Sequence, residues 1–275
     1  MDIYEKVSSF YHSATTEKQI IGKSVLGRHI YAVKIGHGRP TGIAQYAIHG
    51  REYIVARLAE EHAKLGLNTG SCWIIPLANP DGALLSQRGL SSVADKKQQT
   101  ELFALNGGDK DFSLWKANAR GVDLNVNFAA SWGKGKRNLR VAGAENYIGE
   151  KPFSEPETLT LKNFTQKIKP DYTVSYHTKG EEIYWYFYQS MRTCPRDKTL
   201  AQVISEATGY SLGDARGSAG GYKDWCIQKL GIPSFTIEAG LDSLTHPIGD
   251  EGLEDILSKN RFALQKLSAA CAAIL

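Results

Sequence analysis

Three apolar, β-prone runs in this chain each end on a residue that an apolar run accommodates poorly. Ile43–Ile48 delivers His49, Asp171–Tyr176 delivers His177, and Ser234–Ile237 closes on Glu238. A buried carboxylate or imidazole is costly unless it has a chemical partner or a hydrogen-bond donor. Between the runs lie stretches with helical patterning. Tyr53–Leu65 has Gly66 as a C-terminal cap, Ser154-Glu155-Pro156-Glu157 opens a helix to about Ile168, and Lys198–Thr208 follows. Buried strands alternating with helices predict an α/β sheet with helices on both faces. In open α/β sheets, sites form outside the carboxyl ends of the strands. That is where His49, His177 and Glu238 would meet.

In His49-Gly50-Arg51-Glu52 a carboxylate follows the imidazole by three residues, at the step from strand to helix. Alone, this spacing fits equally well a helix-entry histidine with a first-turn glutamate that complements the helix dipole. With His177 the set becomes two histidines and a glutamate. Those are the ligands of a hydrolytic zinc that keeps one position for water. Near such a water Glu238 would serve as general base; the competing reading is a hydrogen-bonded structural acid. The segment Trp115–Phe128 adds three polar candidates. Arg120 can polarise a carbonyl, Asp123 can orient a ligand histidine, and Asn125 can hold a substrate amide or carboxylate. Read by itself, the segment is a polar loop.

The chain has 275 residues, 42% of them hydrophobic, and a net charge of +4. This suits one large α/β domain, taken as 1–275, and no internal repeat or linker interrupts it. The mild charge and the shortness of Lys134-Gly135-Lys136-Arg137 argue against a nucleic-acid partner. No apolar stretch is long enough to span a membrane, and Met1–Lys6 lacks the basic and apolar regions of a secretory signal. Cys72, Cys194, Cys226 and Cys271 are scattered and read as reduced thiols. Further expected elements are a helical lead-in over residues 1–18, a hairpin within Lys23–Gly36, and a strand Cys72–Ala78. A sharp turn at Asn79-Pro80-Asp81-Gly82, irregular functional loops over roughly 86–150, an aromatic strand Glu182–Tyr188 and one long C-terminal helix Glu251–Ile274 complete the list. His62 reads as a packed core histidine, and His246 is the remaining histidine close after Glu238. Cys226 lacks an adjacent histidine base.

Taken in chain order, His49-Gly50-Arg51-Glu52, Asn79-Pro80-Asp81-Gly82, Asn118-Ala119-Arg120-Gly121-Val122-Asp123-Leu124-Asn125, His177 and Glu238 resemble the zinc carboxypeptidases of the carboxypeptidase A type over nearly the whole chain. The resemblance implies a three-layer α/β/α fold around a central mixed, twisted sheet. It implies one zinc ion held by His49, Glu52 and His177, with Glu238 as base, Arg120 as electrophile and Asp123 as the partner of His49. In digestive members, the asparagine matching Asn125 is followed by an arginine that clamps the substrate's terminal carboxylate. Val126 stands there, which argues against simple C-terminal trimming. Their tyrosine two positions after the residue matching Asp224 is Cys226 in this chain, which leaves Tyr222 as the candidate substrate contact.

The stretches Tyr147–Thr158 and Gly220–Trp225 resemble bacterial γ-D-glutamyl-L-diamino acid endopeptidases. These cleave between D-glutamate and meso-diaminopimelate or lysine in peptidoglycan stem peptides. The resemblance implies a peptide or muropeptide substrate with several carboxylates, for which Arg88, Arg140 and Arg216 are candidate readers. With no wall-binding repeat or signal in view, it implies a cytoplasmic enzyme. The alternatives are an ordinary metallocarboxypeptidase, an amidohydrolase acting on N-acyl amino acids, and a catalytically inactive wall-peptide binder.

Overall fold

The computed structural model describes residues 1–213 and 217–274. In chain order the elements are α1 (Ile3–Ser13), β1 (Lys18–Lys23), β2 (His29–Gly36), β3 (Thr41–Tyr46), α2 (Val55–Leu65), β4 (Ser71–Ile75), α3 (Pro80–Arg88), α4 (Lys96–Leu105) and α5 (Pro156–Ile168). There follow β5 (Tyr172–His177), β6 (Glu182–Tyr184), α6 (Cys194–Thr208), β7 (Ser211–Gly213), α7 (Tyr222–Trp225), β8 (Ser234–Glu238), α8 (Leu253–Asn260) and α9 (Ala263–Ile274). The strands form one mixed eight-stranded sheet in the order β1-β2-β4-β3-β5-β8-β6-β7. Its centre, β4-β3-β5-β8, is parallel. On the flanks β2 and β6 run antiparallel to their central neighbours.

The central strands are buried on both faces, which is why they read as near-continuous apolar runs. Along β3 the side chains alternate between two cores. Ile43 packs in a layer with Trp73, Phe164 and Trp225, beneath α5 and α7. Ala44 and Tyr46 pack on the other side with Val55, Leu58 and Leu264, beneath α2 and α9. Two apolar cores on opposite faces of one sheet give the three-layer α/β/α architecture. The parallel register sets β3, β5 and β8 side by side, so their carboxyl ends form one edge.

The structure corrects several element boundaries. Asn79–Gly82 is not a free turn: Asn79 caps α3, its Oδ1 accepting from Gly82 N at 2.9 Å. The stretch 86–150 holds the end of α3 and all of α4. The first arm of the hairpin is β1, which precedes residue 24. The aromatic strand ends at Tyr184, after which the chain leaves the sheet. The C-terminal helix divides into α8 and α9. His62 Nε2 donates to the carbonyl of Asn260 at 2.9 Å at this junction, taking an acceptor the helical ladder would otherwise use.

His62 is a packed core histidine with both ring nitrogens engaged; Tyr46 Oη lies 2.7 Å from its Nδ1. Burial pushes its pKa down from an ordinary 6.5 to about 4. A histidine held neutral contributes stability that is fully present above its unfolded pKa and is lost as pH falls toward the folded one. The expected loss approaches about 3 kcal/mol. Urea unfolding from pH 7 to pH 4 checks this: His62→Gln should show a flatter acid limb than the parent.

Candidate metal centre and its cavity

The ladder between β3 and β5 ends at Tyr46–Tyr176, and the chain then leaves the sheet with Ala47 at φ 51°. Asn79 holds the exit in place, its side-chain amide donating to Ile48 O and to Ala117 O at 3.1 Å each. His49 follows. Gly50 must be glycine, because a Cβ there would lie 2.5 Å from the Gly82 carbonyl carbon and 2.7 Å from Trp115 O. Gly50–Glu52 forms one 3₁₀ turn, which swings Glu52 back over His49. On the neighbouring strands, His177 and Glu238 are register partners.

These elements bring three ligand atoms to one point. Glu52 Oε1 lies 2.8 Å from His49 Nδ1, Glu52 Oε2 lies 2.9 Å from His177 Nδ1, and the two Nδ1 atoms are 3.1 Å apart. All three residues are buried. Ligands bound to one zinc at about 2.0–2.1 Å sit roughly 3 Å from each other. Two imidazole nitrogens pointed at each other and at one carboxylate form a donor set for a cation, so the residues fit a zinc ion. Burial opposes ionisation of Glu52, but the two imidazoles outweigh it and hold its carboxyl well below the usual range. His49 is likewise disfavoured as a cation by burial, yet Glu52 and Asp123 hold its pKa above the ordinary value.

Asp123 lies 3.3 Å from the outer nitrogen of His49, Nε2, and 2.9 Å from Lys116 Nζ. It also accepts the backbone N–H groups of Asn125 and Asn146. Burial alone would raise its pKa; Lys116 and His49 reverse this and hold Asp123 ionised. Burial alone would lower the Lys116 pKa; Asp123 reverses that and keeps the lysine charged. Among the described residues Glu238 has no such cation at hydrogen-bond distance, and burial pushes its carboxyl up to about 7.

The set opens into a cavity of about 500 Å³. His49, Lys116, Asp123, Asn125 and Glu238 line it. Tyr184 stands on a further wall, its hydroxyl donating to Glu182 Oε2 at 2.6 Å. Asn125 Oδ1 accepts Tyr222 N–H at 3.1 Å. The floor is polar: Thr236 faces the cavity, and in the same cross-strand row Ser175 Oγ and the Gln45 amide are buried without partners.

Two expected residues are elsewhere. Arg120 is exposed, sits 3.7 Å from Glu155 and lines a separate surface groove with Gln98 and Glu101. The Asn118 side chain creates this: its Oδ1 accepts both Arg120 N and Val122 N, closing a turn with Arg120 at its outer tip. The cation of this segment that faces the cavity is Lys116, on the inbound arm of that turn. The signal for it was the buried Trp115 just before it. Tyr222 is fully buried, its hydroxyl 2.7 Å from Thr165 Oγ1, so it cannot touch a ligand in the cavity; Tyr184 is the tyrosine that can. Of the basic candidates, Arg88 pairs with Asp2 and Arg140 stacks on Trp132, while Arg216 lies outside the described residues. His246 does not join the ligand cluster. Burial pushes the Cys226 thiol up to about 12, so it is not a thiolate.

One zinc ion per chain should therefore bind, measured by competition with a chromogenic chelator. His177→Ala should abolish stoichiometric binding. Asp123→Asn should weaken it by about 10- to 100-fold, the usual effect of losing the carboxylate behind a ligand histidine.

The sequence model of the zinc carboxypeptidase family matches residues 4–248. The γ-D-glutamyl-L-diamino acid endopeptidase 1 of Lysinibacillus sphaericus is 31% identical over 249 residues. That alignment covers 84% of this chain and 62% of the relative, so the chain spans less than two thirds of that protein's length. Among solved structures, bovine thrombin-activatable fibrinolysis inhibitor, in complex with tick carboxypeptidase inhibitor, superposes with a TM-score of 0.79 at 21% identity, covering 100% and 98% of the two chains. The murein-tripeptide amidase MpaA of Escherichia coli O157 superposes with a TM-score of 0.63 at 23% identity, covering 94% of each. These two share the fold. With the family match running through both strand-end histidines and Glu238, this chain belongs to the zinc carboxypeptidase family.

Proposed function

We propose that this protein hydrolyses the γ-D-glutamyl–diamino acid bond of peptidoglycan stem peptides. The observation that carries the chemistry is the buried His49–Glu52–His177 set with Glu238 in register beside His177, opening into a polar, cation-bearing cavity. The substrate is supported by the relative named for that bond and by Val126, which puts no charge beside Asn125. The polar row at the floor favours a ligand with polar side chains over an apolar C-terminal residue.

His49, Glu52 and His177 would hold the zinc, which when bound would supply Lewis acidity and a positive charge that keeps Glu238 ionised. Glu238 accepts a proton from the attacking water on its carboxylate and returns it to the leaving amine nitrogen. The Lys116 ammonium stabilises the negative charge that develops on the scissile carbonyl oxygen. Asp123 holds Lys116 and His49 in one orientation, so the electrophile and a zinc ligand share an anchor. Asn125 is fixed through its Oδ1 on Tyr222 N, which leaves its side-chain N–H groups for a substrate carbonyl or carboxylate.

Lys116→Ala and Glu238→Gln should each lower turnover by on the order of 100-fold or more while zinc content stays at parent level. Arg120→Ala should leave turnover near that of the parent. An equal loss in Arg120→Ala would return the electrophile to that residue. For the substrate, a γ-D-glutamyl-diaminopimelyl tripeptide is compared with a plain peptide of apolar C-terminus. Cleavage of the muropeptide is expected. Release of a free C-terminal residue from the plain peptide alone would refute the substrate proposal and identify an ordinary carboxypeptidase.

A further inference from the structure

Among the described residues, the charges on the cavity wall do not cancel. Lys116 pairs with Asp123 at 2.9 Å and Lys223 with Asp224 at 2.6 Å, and Glu238 faces the metal ligands. Two wall residues, Lys136 and Arg137, have no carboxylate partner among the described residues. They are adjacent, alike in sign and on one loop. That loop is built, not loose. Asn138 N bonds Gly135 O at 3.2 Å, Lys134 N bonds Ser131 O at 3.0 Å, and Lys136 N bonds Gly217 O at 2.8 Å. The Lys136 stem lies against Gly217, where a Cβ would come within 2.7 Å of its Cδ, so a larger residue would displace it. Asn138, the next wall residue, holds its side-chain Nδ2 buried without a partner. Neighbouring cations without counter-ions among the described residues, beside an unused amide donor, form a receptor for a carboxylate.

We infer that Lys136 and Arg137 bind a carboxylate of the peptide substrate and set the enzyme's preference for acidic peptides. This rests on the cavity being the peptide site and names the groups that read the peptide's charge. Lys223 contributes less, since its ammonium is already shared between Asp224 and Tyr186 O. Arg137 is the stronger of the two readers, because a guanidinium can take a carboxylate through two parallel hydrogen bonds.

The test uses the zinc-loaded protein and matched peptides, a stem tripeptide with free carboxylates and versions with each carboxylate amidated in turn. The parent should prefer the acid over one of the amides. The double variant Lys136→Gln/Arg137→Gln should lose that preference by about 10- to 100-fold in kcat/KM, mostly through KM. Lys134→Gln, a charge lost from the same loop but not from the cavity wall, should keep it. A double variant with the parent's acid-to-amide ratio, or one in which both peptides fall alike, overturns the inference. A parent that cleaves acid and amides equally overturns it without any variant. If the parent rejects the stem peptide but cleaves a plain peptide, the substrate proposal has failed. The acid–amide pair is then made on the plain peptide, and the same ratio decides this inference separately.

Discussion

Three ligand residues, His49, Glu52 and His177, each come within 3.1 Å of the other two in the buried edge of this sheet, and the rest of the site is arranged around that crowding. Without a cation, two imidazoles and a carboxylate so placed lose their hydration and share too few protons. With a dication they become its coordination shell. The fold holds them there by two different devices. His177 is fixed by strand register, the strongest constraint a parallel sheet offers. His49 has left the sheet and is fixed instead by Asn79, which ties the exit of β3 to the first turn of α3 and to Ala117. Gly50 is the point where three backbone segments pass too closely for a side chain.

On the proposed function, chemistry and selectivity are divided between sheet and loops. The candidate metal ligand His177 and the proposed base Glu238 are strand-borne, and so placed within the tolerance of a hydrogen-bonded ladder. Lys116, Asn125, Lys136 and Arg137 all come from the long connection between α4 and α5. A rigid edge carrying the reaction, with loops supplying the surrounding contacts, lets substrate preference change while the metal site stays intact. Asp123 joins the halves, since one carboxylate lies beside both His49 and Lys116, the lysine that faces the cavity.

The alternation of buried runs with helices, and the charged residues closing three of those runs, made both the α/β class and the metal ligands legible in one dimension. Arg120 and Tyr222 were not legible in the same way. Arg120 and Lys116 lie four residues apart in a loop without periodicity, and which of them faces inward depends on a turn closed by the Asn118 side chain. Tyr222 sits in a glycine-rich segment that suggests a site, but the packing of α7 on Phe128 and Thr165 buries its ring and hydroxyl. Tyr184 was hidden in an aromatic run because the point at which β6 leaves the sheet is a tertiary matter.

What the sequence by itself determined is the set of groups whose placement follows from strand periodicity: a residue that ends a buried strand must stand at the sheet's edge, so His177 and Glu238 had one place to go, and His49 lay just beyond the end of a third strand. What only the tertiary structure decided is the inward or outward sense of residues in irregular segments. Lys116 rather than Arg120 as the inward cation, Tyr184 rather than Tyr222 as the phenol on the cavity wall, and Lys136 and Arg137, unpaired among the described residues, all belong there. The physical reason is that a strand fixes side-chain direction by its own backbone, whereas a loop takes its direction from side-chain hydrogen bonds and close contacts made with residues far away in the chain.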